Sequence, residues 1–252
     1  MTPAARERWQ VHAPVLLMTA AAWIALLAKP GCSGVSGSCC IPTTLREGIS
    51  SDSINMLMNR NPPGSLALGW ALMVGAMMTP LLSAPVRHVL DRSFARRRAR
   101  AVLLFIAGYA AIWVAAGVAI LAVVLPLRLF LPASFGPAAA ASAVALVWQC
   151  SPWKQRYLNR GHAHVELVAF SAAADLAVLR FGATHGISCV GSCWAVMLAS
   201  ELFPVGHVAV MAVVTLWLLA ERLDGPMLPA WRFPSGGKAA RLALAQARIL
   251  FH

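Results

Sequence analysis

The sequence predicts an all-α polytopic membrane protein with about six transmembrane helices, a re-entrant or interfacial helix and a C-terminal amphipathic helix. Three observations predict this class. Of the 252 residues, 59% are apolar and 12% are charged, whereas a soluble globular domain carries about 25% charged residues. The mean hydropathy is +0.69. The apolar stretches are continuous rather than alternating, which argues against a lipid-facing β-barrel.

Six apolar stretches have roughly the 17–25 residues that cross a ~30 Å hydrocarbon layer. They lie at about 11–28, 66–82, 101–125, 131–150, 187–203 and 205–220. The first follows Arg6 and Arg8, and we predict a signal-anchor helix over 1–28. Residues 29–65 are then a cysteine-containing outer loop, 66–223 the transmembrane core and 224–252 a cytoplasmic tail.

Basic residues between the second and third stretches set the predicted orientation. The formal net charge is +12, and six arginines fall within 14 residues: Arg87, Arg92, Arg96, Arg97, Arg98 and Arg100. The positive-inside rule places this connection and the amino terminus in the cytoplasm of a bacterial inner membrane. Phe94 is the one phenylalanine, tyrosine or tryptophan within the arginine run, which lacks the repeated interleaving of aromatic residues that stacks on bases, so we expect contact with anionic lipid headgroups and not with nucleic acid.

The stretch 165–181 is apolar enough for a seventh span, but it contains Glu166, Asp175 and Arg180. If it crossed the membrane, the basic carboxyl tail would lie outside, against the charge rule. We therefore predict a re-entrant or interfacial helix at the inner face. The tail at 238–251 has basic residues on one side and predicts an amphipathic interfacial helix.

The sharpest candidate metal cluster is formed by His185, Cys189 and Cys193, which are spaced i, i+4, i+8. On a helix these positions follow one face. Imidazole and thiolate are ligands for soft or borderline ions such as Cu(I) and Zn(II). The structural alternative is that the cysteines are small buried apolar residues.

Three methionines of the second stretch, Met73, Met77 and Met78, supply thioethers that suit Cu(I). The predicted topology puts the last two in the inner half of their span, at a similar depth to His185 and Cys189. Soft donors from two helices would then hold one ion. The alternative is that these methionines only fill gaps or face lipid.

A third cluster, Cys32, Cys39 and Cys40, lies in the predicted outer loop. On the oxidising side of a membrane we expect a disulfide with one thiol left over, and a secondary metal site is the alternative. Glu201 lies near the predicted outer hairpin of the last two spans. We expect an interfacial carboxylate there, with a role in ion coupling as the alternative.

Two motifs resemble those of a bacterial family of predicted metal-binding integral membrane proteins. They are Trp70-Ala-Leu-Met73 through Ala76-Met77-Met78-Thr79-Pro80, and Arg180-Phe-Gly-Ala-Thr-His185-Gly-Ile-Ser-Cys189-Val-Gly-Ser-Cys193-Trp194. The likeness covers about residues 66–223. It implies a metal-binding role for these histidine, cysteine and methionine residues. This chain has Ser192 where relatives often carry another cysteine, and cysteines in a first loop where relatives favour methionine.

These observations predict a membrane protein that binds or delivers a soft transition metal, with Cu(I) as the expected ion and zinc as the alternative. Two other functions remain open: an accessory or assembly subunit of a larger membrane complex, and a thiol oxidoreductase that exchanges disulfides in the outer loop. The second lacks a Cys-x-x-Cys pair. The sequence contains no Ser-His-Asp arrangement and no phosphate-binding glycine loop, and we assign no catalytic residue.

Overall fold

The computed structural model describes residues 3–28, 62–131, 135–163, 171–203 and 205–233. Within these ranges every regular element is helical, which confirms the predicted all-α class. The outer-loop cysteines Cys32, Cys39 and Cys40 and the predicted amphipathic helix at 238–251 lie outside the described residues, so those predictions stay as they were made.

The α-helices, numbered in chain order, are α1 Pro3–Ala28, α2 Pro63–Met78, α3 Ser83–Asp91, α4 Arg98–Phe130, α5 Gly136–Cys150, α6 Pro152–His162, α7 Ser171–Leu202 and α8 His207–Leu223. Short 3₁₀ turns at Thr79–Leu82 and Ala95–Arg97 connect α2 to α3 and α3 to α4. Proline opens α2, α5 and α6 within their first two positions, where its missing N–H costs nothing.

Among the residues that the structure describes, three stretches are long and apolar enough to cross a membrane: Pro63–Asp91, Ala95–Arg128 and Ala173–Leu202. They contain the second, third and fifth predicted spans. The first and fourth predicted spans form shorter apolar helices, at Ala13–Ala28 and Gly136–Cys150. At about 1.5 Å per residue, the 15 residues of α5 extend about 22 Å, which is less than a ~30 Å hydrocarbon layer.

The structure corrects the prediction for 165–181. Residues 171–181 are not a separate re-entrant or interfacial helix but the first turns of α7, a continuous helix of 32 residues. No proline interrupts this segment. Asp175, one of the charged residues that argued against a seventh span, is paired with Arg97 at 2.5 Å and with Arg100 at 2.6 Å.

Helices α4 and α7 are packed side by side and run parallel. Arg97 and Arg100, at the start of α4, bind Asp175 near the start of α7, and Arg128 near the end of α4 donates to the backbone carbonyl of Glu201 near the end of α7. A Cβ on Gly182 of α7 would lie 2.1 Å from the carbonyl oxygen of Phe105. The two backbones approach this closely because glycine occupies the crossing.

Helices α2, α6 and α8 each bring residues against the middle of α7. Helix α2 runs antiparallel to α4: Trp70 donates its indole N–H to the carbonyl of Trp113 at 2.9 Å, and α2 ends at Met78, since Pro80 cannot continue it. Helix α8 returns along α7 from a tight turn at Gly206, which has a φ of 75°. Helix α6 begins at the Ser151 cap, whose hydroxyl accepts from the N–H of Lys154.

Candidate metal centre

Two sulfur atoms from different helices meet in the core of the molecule. The Cys189 thiol of α7 lies 3.8 Å from the thioether sulfur of Met78, the last residue of α2. Two sulfur ligands bound at about 2.3 Å to one tetrahedral ion are also about 3.8 Å apart. The pair therefore has the spacing that a shared soft metal ion requires.

Cys193 adds a third sulfur one helical turn along α7. Its thiol donates to the backbone carbonyl of Cys189 at 3.0 Å. Each cysteine is only 1% exposed, and neither is in a disulfide. Helix α7 thus buries two thiols one turn apart, and the Met78 thioether of α2 contacts the first of them.

Tyr109 of α4 also contacts the Cys189 thiol. Its hydroxyl donates to the Cys189 sulfur at 3.4 Å, and its ring lies 6.3 Å from the Trp113 ring and 6.1 Å from the His185 ring. A hydroxyl donor stabilises negative charge on a thiolate. The sequence analysis did not identify Tyr109, because a tyrosine inside an apolar span is usually a packing residue.

Arg222, near the end of α8, brings a positive charge to the cysteines. Its guanidinium lies close enough for its positive charge to act on the Cys189 and Cys193 thiols. The side chain passes over Gly161 of α6, where a Cβ would lie 2.2 Å from a guanidinium nitrogen. The absence of a side chain at Gly161 therefore makes room for the arginine.

A buried ion pair lies beside this arginine. Lys154 of α6 binds Glu221 of α8 at 2.5 Å, with both side chains less than 5% exposed. Trp217 also donates to the Glu221 carboxylate at 2.8 Å. Burial lowers the pKa of Lys154, and the nearby Glu221 carboxylate opposes that shift. Lys154 and Arg222 thus bring positive groups from two helices near Cys193, and the charge of Lys154 is paired with Glu221.

His185 is placed differently from the two cysteines. It is buried among the rings of Phe105, Tyr109 and Phe181, at 6.0, 6.1 and 6.2 Å. In the part of the chain that the structure describes, no three His, Cys, Asp or Glu side chains are close enough to share an ion. Between positions four apart on an α-helix, the direction of the side chain rotates by about 40° around the helix axis. The side chains of His185 and Cys193, two such steps apart, therefore point in different directions around α7. A metal-binding role for His185 stays a prediction.

Met73 and Met77 belong to the same buried apolar cluster as Cys189 and Cys193, and they are 2% and 0% exposed. Successive residues on a helix point about 100° apart, so Met77 and Met78 take different directions. The sulfur contact described above belongs to Met78. The roles of Met73 and Met77 as ligands stay predictions.

The polar partners Arg222, Lys154 and Glu221 were not predicted as part of the site. The sequence placed them at the ends of spans, where charged residues usually face headgroups or water. All three lie within the range 66–223 that shares the family likeness, in the segments Ser151-Pro-Trp-Lys154 and Leu219-Ala-Glu221-Arg222-Leu223. Ionisable residues adjoining apolar spans are often functional.

A family model described as PpoB2, copper chaperone, matches residues 67–231. The match extends from early in α2 to beyond the end of α8, so it includes every residue of the site described above. No curated protein and no solved structure matches the chain.

Proposed function

The chain belongs to the PpoB2 family of copper chaperones, and on that premise we propose that it is a membrane-embedded chaperone that carries Cu(I) between Cys189, Cys193 and Met78. Copper is the cargo of this protein and not a resident cofactor. Two thiolates and one thioether form a soft, low-coordinate donor set, which favours Cu(I) over harder ions. Zinc is less well matched, because it prefers four ligands from cysteine, histidine or carboxylate.

The observation that carries the proposal is the 3.8 Å contact between the Cys189 and Met78 sulfurs. Each residue comes from a different helix, so the pair is a product of the fold and not of local sequence. Both side chains are buried. A buried soft-donor site protects Cu(I) from water and from oxidation, as a carrier must do.

The charge of the loaded site supports the same assignment. Cu(I) bound by two thiolates and a neutral thioether has a net charge of −1. Inside a protein an unbalanced charge is costly, and the Arg222 guanidinium that reaches the Cys189 thiol supplies the opposite charge. Lys154 is already paired with Glu221, which leaves Arg222 as the main counter-charge.

The membrane location in this proposal is supported by the three stretches of spanning length and by the arginines between α3 and α4. We propose a multi-pass protein of the bacterial inner membrane with its amino terminus in the cytoplasm. Delivery also needs a recipient, and we propose a protein partner that accepts Cu(I) by thiol or thioether exchange.

The test uses the purified full chain in detergent, titrated with Cu(I) under anaerobic conditions against a chromogenic Cu(I) chelator. We expect about one tightly held Cu(I) per chain and loss of this binding in Cys189→Ser/Cys193→Ser. Cys150→Ser is the matched control, since Cys150 is also a free cysteine in the described chain but lies at the end of α5. Equal copper retention by the double variant and by the control would overturn the proposal.

A further inference from the structure

A second pair of potential ligands lies toward the far end of α7. Glu201, next to the last residue of that helix, is 2% exposed, and His207, the first residue of α8, is 6% exposed. The His207 Nε2 atom is 3.8 Å from the Glu201 Oε1 atom. Gly206, with its positive φ, makes the turn that folds His207 back onto α7.

The hydrogen bonds of His207 determine which ring nitrogen faces the carboxylate. Its Nδ1 atom is 2.8 Å from the carbonyl oxygen of Ser200. A carbonyl only accepts, so Nδ1 carries a proton, and in the singly protonated ring the lone pair is on Nε2, the nitrogen that faces Glu201. A histidine that binds metal through one nitrogen commonly donates the other N–H to a carbonyl in this way.

Glu201 has an unsatisfied atom at the same place. Its Oε2 atom is buried and has no hydrogen-bond partner. Leaving a buried acceptor unpaired costs about 1–3 kcal/mol, and more for a charged group. Protonation of His207 would create an ion pair with Oε1 but would leave Oε2 unpaired. A cation bound between the carboxylate and Nε2 satisfies both groups.

The surrounding residues suit a metal ion. Arg128 donates to the backbone carbonyls of Glu201 and Phe203, so it caps the end of α7 and places a positive charge near the Glu201 carboxylate. Met197 and Met211 lie one turn from Glu201 and His207 along their helices, and both are fully buried. Imidazole nitrogen and carboxylate oxygen are ligands for divalent copper and zinc.

We propose that Glu201 and His207 form a second metal site, for a divalent transition-metal ion such as Cu(II). The site is about 12 Å along α7 from Cys193, given eight residues at about 1.5 Å each. It is separate from the sulfur site in position and in ligand type, and it does not depend on the Cu(I) proposal.

The test is made on the full chain in detergent, in the Cys189→Ser/Cys193→Ser background, so that the sulfur site is absent. Cu(II) is the probe, and electron paramagnetic resonance reports nitrogen coupling. We expect one bound Cu(II) with imidazole coupling. Glu201→Gln and His207→Gln should each weaken binding about tenfold or more. His162→Gln is the control, because both ring nitrogens of His162 already contact carbonyls.

Two results would overturn this proposal. One is that the parent chain binds no more Cu(II) than the His207→Gln and Glu201→Gln chains each bind. The other is a Glu201→Gln chain that unfolds at a lower temperature but binds Cu(II) like the parent, which would make the pair a buried ion pair only. Glu201→Gln preserves the shape of the side chain, so it decides the question if His207→Gln does not elute as a folded protein.

Discussion

At the scale of single residues, two adjacent methionines have different contacts. Met77 and Met78 are both 0% exposed, but the described contact with the Cys189 thiol is made by Met78. The sequence predicted that methionines from one helix would meet cysteines from another. It could not choose between the two neighbours, since the choice depends on the rotation of α2 and on its end at Met78.

This difference gives a matched pair of variants. Met78→Leu and Met77→Leu both replace a buried thioether with an alkyl group of similar volume, which usually costs less than about 1.5 kcal/mol. We expect Met78→Leu to weaken Cu(I) binding about tenfold or more and Met77→Leu to leave it nearly unchanged. Competition with a Cu(I) chelator measures both. The opposite order of effects would make Met77 the ligand.

We predict that the positive charge of Arg222 balances the negative charge of the Cu(I)-loaded site. Arg222→Gln removes the cation that reaches the Cys189 thiol, so the anionic Cu(I)–thiolate group loses its counter-charge. We expect faster release of Cu(I) to a chelator, with partial rescue in Arg222→Lys, which keeps the charge but not the planar donor geometry. Stopped-flow absorbance of the chelator complex measures the rate. Equal release rates in all three proteins would assign Arg222 to packing alone.

At the scale of elements, the length of the apolar stretches predicted most of the helices. The polar helix α6 was not predicted, although Ser151 and Pro152 form a typical helix start. The separate helix expected at 165–181 was wrong over 171–181 because Asp175 was judged without its partners Arg97 and Arg100. These arginines lie about 75 residues earlier, so no local pattern reveals the pairing.

The contact between α4 and α7 depends on glycine. A Cβ at position 182 would overlap the backbone of Phe105, which cannot move aside as a flexible side chain can. We expect Gly182→Ala to destabilise the protein by about 1–3 kcal/mol, measured by thermal unfolding in detergent. Gly64→Ala is the control, since a Cβ there meets nothing within 4 Å. If both variants unfold at the same temperature, the close approach does not contribute to stability.

At the scale of the whole molecule, ion pairs and caps show that α4 and α7 run in the same direction. The sequence analysis expected this, since both spans were predicted to begin at the inner side. The reason was the distribution of arginine and lysine along the chain. The convergence of α2, α6 and α8 on the middle of α7 could not be predicted, because it depends on tertiary packing between residues far apart in sequence.

The proposed topology makes a direct prediction for reporter fusions. A fusion after Leu131 should place the reporter outside, where alkaline phosphatase is active. A fusion after Phe233 should place it in the cytoplasm, where green fluorescent protein fluoresces. The physical reason is that the arginine-rich connection before α4 stays inside. The reverse pattern would contradict the orientation, and activity of one reporter type at both positions would contradict the number of crossings.

The central claim is that sulfur atoms from α2 and α7 bind one Cu(I) ion. X-ray absorption at the copper edge of the Cu(I)-loaded full chain tests it most directly. We predict a first shell of sulfur only, about three atoms near 2.3 Å, with about one sulfur fewer in Met78→Leu and no change in Met77→Leu. A first shell dominated by nitrogen or oxygen, or one that is the same in Cys189→Ser/Cys193→Ser, would contradict the claim.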